Sequence, residues 1–145
     1  MRAVLQRVRR GKVSVDERTV AEIGPGLVIL LGIGPDDSIE TARALAEKAA
    51  FLRIFEDDQG KMNLSIRDMG GSAIVVSQFT LYADTRKGRR PSFIDAALPA
   101  VASPLVDRFV QFLSEQGVPT QTGVFGAHML VEIENDGPVT ILLEM

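Results

Sequence analysis

The chain has 145 residues, a formal net charge of −3, no cysteine and a single histidine, His128. That length suits one domain, residues 1–145, and a hydrophobic share of 46% supplies a core without covalent staples. Disulfides, thiol catalysis and Cys-ligated metal are excluded, and a Ser-His-Asp triad would have only one possible base.

In chain order, residues 2–9 and 12–15 predict strands, and Thr19–Ile23 resumes as a strand after an Asp16-Glu17-Arg18 turn. Gly24-Pro25-Gly26 breaks the chain before Leu27-Val28-Ile29-Leu30-Leu31, a continuous apolar run that predicts a buried central strand. A Gly34-Pro35-Asp36 turn follows, and Asp37 with Glu40 three residues later has the spacing of a helix cap. Ile39, Ala42, Leu45, Ala46, Ala49 and Leu52 then repeat along one helical face. Asp57-Asp58-Gln59-Gly60 predicts a plain turn, because it lacks the ligand series of a calcium loop. Ser72–Tyr82 predicts a long strand and Thr85–Pro91 a basic loop. Ser103 with Pro104 predicts a second helix start, with Leu105, Val106, Phe109, Val110 and Leu113 inward and Gly117 and Pro119 as its stop. Met129–Glu134 and Val139–Glu144 close the chain as strands around Asn135-Asp136-Gly137-Pro138. Strands at both ends with two helices between them predict an α+β class with a mixed, largely antiparallel sheet.

Charge is unevenly placed. Arg2, Arg7, Arg9, Arg10 and Lys12 crowd the start, and Arg86, Lys87, Arg89 and Arg90 fill a later loop. Either segment is a solvated surface or a local phosphate-contacting patch. No apolar run follows the first arginines, and Leu27–Ile33 is too short to cross a bilayer, so a cytoplasmic protein without membrane contact is expected. Walker-type and dinucleotide-binding glycine loops are absent, and no Gly-x-Ser-x-Gly elbow offers His128 a nucleophile. Two segments combine polar groups with backbone peculiarity. Ser77-Gln78-Phe79-Thr80 sets hydroxyls and an amide at the end of an apolar strand, where backbone N–H groups can face a ligand carbonyl. Asn135-Asp136-Gly137-Pro138-Val139-Thr140 carries a Gly-Pro bond, which adopts the cis form more readily than other bonds. Each alone also reads as an ordinary strand end or hairpin loop.

Together the segments resemble a known family. Met1–Val8, Ser77-Gln78-Phe79-Thr80-Leu81, Lys87-Gly88-x-Arg90-Pro91-Ser92-Phe93, Thr122-Gly123-x-Phe125-Gly126-Ala127-x-Met129 and Asn135–Thr140 occur in the order seen in D-aminoacyl-tRNA deacylases, also called D-tyrosyl-tRNA deacylases. The resemblance spans essentially the whole chain. It implies an α+β homodimer whose sheets form a barrel-like layer flanked by two main helices. It also implies a carboxylic ester hydrolase that frees D-amino acids, and glycine mischarged on tRNA-Ala, from the acceptor end of tRNA. No cofactor and no metal are implied. Ser77, Gln78, Phe79 and Thr80 would line the catalytic pocket. Gly137-Pro138 would be a cis pair entering the partner subunit's pocket to exclude L-amino acids, with Arg7 holding it. Phe125 and Met129 would border the terminal adenine, while His128 departs from the family pattern and takes no shared role.

An aminoacyl ester is already activated, so orientation and oxyanion stabilisation suffice without a side-chain base. The resemblance adds the ribose 2′-hydroxyl of the tRNA as a helper in water attack; Thr80 as nucleophile ranks second, because nothing nearby in the sequence would activate its hydroxyl. Two other classes remain: a non-catalytic module binding the tRNA acceptor end, and a small-molecule esterase using His128.

Overall fold

Strand β1 (Arg2–Val15) organises the sheet because its two halves have different neighbours. In the computed structural model, which describes residues 1–145, its first half pairs antiparallel with β3 (Gly26–Gly32) and its second half with β2 (Arg18–Ile23). Along its other edge runs β8 (Leu130–Glu144), antiparallel from Arg2↔Glu144 to Ser14↔Leu130. β3 pairs parallel with β6 (Ser72–Ser77), and β6 parallel with β7 (Thr120–Thr122). Side-chain hydrogen bonds then bring the ends of the sheet together: Glu22 N–H of β2 donates to Gln121 Oε1 of β7 at 2.9 Å. Gln121 Nε2 returns a bond to Glu22 O at 2.7 Å. The result is a nearly closed barrel with mixed, largely antiparallel strands.

Alternation along these strands builds two cores. Val8, Val13, Ala21, Ile23, Val28, Ile74 and Val76 fill the barrel. Leu27, Ile29, Leu31, Ala73 and Val75 point outward under helices α1 (Ile39–Phe51) and α2 (Pro99–Glu115). β3 and β6 are thus buried on both faces, which is why they read as continuous apolar runs.

Several boundaries differ from the sequence-based expectation. Residues 2–15 form one strand. α1 is capped by Ser38, which accepts from Thr41 N–H, because Asp37 turns back to accept from Gly34 N–H at 2.6 Å. α2 begins at Pro99, so Pro104 lies inside it and costs one main-chain bond near the exposed end. β6 stops at Ser77: the last ladder bond runs from Gln78 N–H to Leu31 O at 2.7 Å, and a 3₁₀ turn covers Phe79–Tyr82. The Asp57–Gly60 turn stands as expected, its Asp57 carboxylate accepting from Gln59 N–H, Lys61 N–H and Asn63 Nδ2. The short strands β4 (Phe55–Glu56) and β5 (Met62–Leu64) around it, and β7, were not foreseen. No helix is long and apolar enough to cross a membrane.

Candidate functional site

Where β6 runs out of a partner, a cavity of about 580 Å³ opens. Its floor is the end of β3 and β6, its walls the 93–99 segment with the start of α2, and the 125–129 segment before β8. Ser77, Gln78, Phe79, Phe125, His128 and Met129 all line it. Thr80, Arg7, Gly137 and Pro138 do not. Thr80 is exposed just beyond the rim, and its hydroxyl accepts a hydrogen bond from Gln78 Nε2.

The 3₁₀ turn sets this geometry. Its opening N–H groups, those of Phe79 and Thr80, have no partner within the turn, and no side chain caps them. The far end of the turn is pinned from β1: Arg2 Nη1 donates to Leu81 O at 2.9 Å, and its guanidinium lies 4.5 Å from the Tyr82 ring centre. Burial, with the nearby Asp37 carboxylate, pushes the Tyr82 phenol up to about 12, so it stays neutral. Phe79 meets Phe93 edge-to-face at 5.1 Å, which joins the turn to the opposite wall. Phe93, Arg2 and Tyr82 carry no signal in sequence spacing that marks them as site residues. Only a contact map brings them together.

Arg7 and Gly137-Pro138 make a second assembly. Opposite Arg7, the register between β1 and β8 jumps from Gln6↔Thr140 to Val8↔Asn135, so Asp136–Val139 bulge from the ladder. The Gly137-Pro138 bond is cis, and both residues are exposed. Arg7 is only 5% exposed. It donates from Nε to Asp136 O at 3.1 Å and from Nη1 to Ile54 O at 2.7 Å, and pairs with the Asp136 carboxylate at 3.3 Å. Gly137 has φ +120°, and a Cβ there would lie 2.8 Å from Val139 Cγ2 and 3.1 Å from both Val139 N and Arg7 Nη2, so backbone conformation and space both favour glycine. Asn135 Nδ2 and Thr140 Oγ1 both donate to Gln6 Oε1, closing the base of the bulge.

The family described as D-Tyr-tRNA(Tyr) deacylase matches residues 4–144. The chain belongs to that family. It is 60% identical over 144 residues to a D-aminoacyl-tRNA deacylase of Thermomicrobium roseum, covering 99% of this chain and 94% of the relative. A relative of the same description from Carboxydothermus hydrogenoformans is 58% identical over 145 residues, with both chains covered completely. Among solved structures, the c-Myc DNA Unwinding Element Binding Protein superposes with a TM-score of 0.93 at 38% identity, covering 100% of this chain and 99% of that one. A probable eukaryotic D-amino acid tRNA deacylase, 20% identical, shares the fold at a TM-score of 0.86 over 99% and 98% of the chains.

For a member of the D-Tyr-tRNA(Tyr) deacylase family, the pocket has a plain chemical character. His128 is the only titratable side chain in the lining, and most of the wall is apolar. No group of three or more His, Cys, Asp or Glu is arranged to hold a metal ion. Beside His128, the polar groups are Ser77, the Gln78 amide and backbone N–H groups. The amide, the hydroxyl and the N–H groups are of the kind that can orient a carbonyl and stabilise an oxyanion, and His128 is the one side chain there able to take up a proton.

Proposed function

We propose that this chain hydrolyses the ester linking a D-amino acid to the 3′-terminal adenosine of tRNA in the cytoplasm, admits glycine on tRNA-Ala and rejects L-amino acids. The near-absence of titratable groups from the pocket supports this reading best. An activated ester needs positioning and charge stabilisation, and the substrate's own 2′-hydroxyl assists the attacking water. Phe79 and Thr80 N–H, with Gln78, face the developing oxyanion. Phe125 and Met129 border the adenine.

Chirality is read by a second copy of the chain. Gly137-Pro138 lies outside its own subunit's pocket and is exposed, so it is free to enter a partner's. Rigid carbonyls beside Cα leave room for hydrogen on one face and clash with an L side chain; glycine has nothing to reject. Leu130 and Leu142, 64% and 62% exposed on β8, suit burial against such a partner.

The deciding experiment compares release of D-Tyr and L-Tyr from charged tRNA. Release of D-Tyr alone is expected, equal rates overturn the proofreading reading, and binding without turnover favours a tRNA-end-binding module. Thr80→Ala separates the two chemistries. The Thr80 hydroxyl bonds only to an amide that cannot take its proton. The variant is therefore expected to keep at least roughly a tenth of wild-type kcat, whereas loss of a true nucleophile costs on the order of 10⁶. Complete loss with binding intact would make Thr80 the nucleophile.

A further inference from the structure

Of the two basic segments, the one on β1 is neutralised by acids across the sheet. Arg2 pairs with Glu144, Arg9 with Asp136 at 3.1 Å, Arg10 with Glu22 at 2.8 Å and Lys12 with Glu132 at 3.0 Å. The loop Thr85–Pro91 is different. Arg86 is clamped on Asp84 at 2.8 Å and holds that carboxyl down at about 2. Lys87, Arg89 and Arg90 are exposed and join no ion pair or hydrogen bond.

The loop also stands at the pocket. Its base is closed by Asp84 N–H to Ser92 O at 2.8 Å and Ser92 N–H to Asp84 O at 2.9 Å. One strand of that base leaves the 3₁₀ turn, and the other leads directly into Phe93 of the pocket wall. A loop of this length reaches at most about 12 Å from its base, within which a nucleic-acid strand presents several phosphates. The loop has no aromatic or aliphatic anchor of the kind a protein partner needs. The net negative charge elsewhere repels a polyanion, leaving this loop as its favourable approach.

We propose that Lys87, Arg89 and Arg90 hold the phosphate backbone of the RNA strand whose aminoacylated end occupies the pocket. This rests on the deacylase reading and adds where the rest of the substrate lies. Phosphate contacts position the strand without reading its sequence, so they set KM and salt dependence and leave the chemical step alone.

The test compares wild type with the triple variant Lys87→Gln/Arg89→Gln/Arg90→Gln on two substrates, D-Tyr-tRNA and the phosphate-free ester D-Tyr-adenosine. On tRNA the variant is expected to show a raised KM with kcat kept. At ~0.7 per phosphate lost, its salt slope becomes shallower by about 2. Between about 50 and 200 mM salt, wild-type kcat/KM then falls about twentyfold more than the variant's. The nucleoside ester is cleaved alike by both proteins. Arg10→Gln/Lys12→Gln, in the neutralised segment, keeps the wild-type slope. An unchanged KM and slope in the loop variant, or an equal change in the β1 variant, overturns the proposal while leaving the deacylase reading intact. If wild type cleaves neither substrate, the deacylase reading falls instead. Binding of uncharged tRNA in the same salt series then decides the loop's role: a shallower slope in the loop variant supports it, and an unchanged slope ends it.

Discussion

Replacing Arg7 by methionine is expected to lower the free energy of unfolding by about 3 kcal/mol, seen as a lower urea midpoint at unchanged slope. The guanidinium is almost wholly buried and bonds two main-chain carbonyls, Ile54 O and Asp136 O, from different parts of the chain. Each charge-assisted bond contributes roughly 1.5–3 kcal/mol, and losing the donor also strands the Ile54 carbonyl, whose residue is 6% exposed. Methionine fills much of the volume but donates nothing. Arg7→Lys restores only one of the two bonds, because a point ammonium cannot span both acceptors, so its midpoint lies between the other two. The functional effect is separate. Without Arg7, Asp136 keeps only its pair with the exposed Arg9, so the 136–139 bulge loses its one buried tether to β1. On the proposed reading, the ratio of D- to L-Tyr-tRNA cleavage then drops even at temperatures where the variant is fully folded. A variant with the wild-type urea midpoint and the wild-type ratio would show that Arg7 holds nothing.

How far the sequence reaches is clear from such residues. Strands and helices with a strong local period were legible: the Leu27–Leu31 run, and the Ala42, Leu45, Ala46 and Ala49 face, lie where patterning puts them. Boundaries set by tertiary partners were not. β6 ends at Ser77 because the next carbonyl after Leu31 on that edge, Ile33 O, is taken by Ala97 N–H, and Arg2 holds Leu81 O of the turn that follows. The helix cap moved from Asp37 to Ser38 because Asp37 serves Gly34. β7, three residues long, has too few positions to show a period. The same division runs through the site. Ser77–Phe79, Phe125 and Met129 share one cavity. The Phe93 wall and the neutralisation of the β1 arginines depend on contacts between distant segments, which charge counting cannot anticipate.

The barrel makes one position intolerant in a way composition hides. Gly26→Ala is expected to cost about 3 kcal/mol and to lower Tm by about 10 °C, measured by circular dichroism. Gly26 pairs with Ser72 at the start of the β3–β6 ladder. A Cβ there would lie 1.8 Å from Ser72 O, 2.8 Å from Ser72 C and 2.9 Å from Ser72 N. All three are main-chain atoms, so no rotamer relieves the overlap. Paired strands stand about 4.8 Å apart, and the overlap is resolved only if β6 retreats from β3. β6 is buried on both faces, between the barrel core and the helix-covered core, so its retreat disturbs both at once. The same strand carries Ser77 to the pocket, and its last ladder bond, Gln78 N–H to Leu31 O, fixes where the turn begins. A shift of β6 therefore reaches the site directly. Displacements near an ångström cost on the order of 10²-fold in rate, so kcat/KM falls well below what the folded fraction accounts for. Gly24→Ala, two residues earlier with nothing within 4 Å of the added carbon, is the matched control and keeps both Tm and rate. If Gly26→Ala melts with its control, β3 and β6 are not locked at that pair, and the registration of the pocket must come from elsewhere.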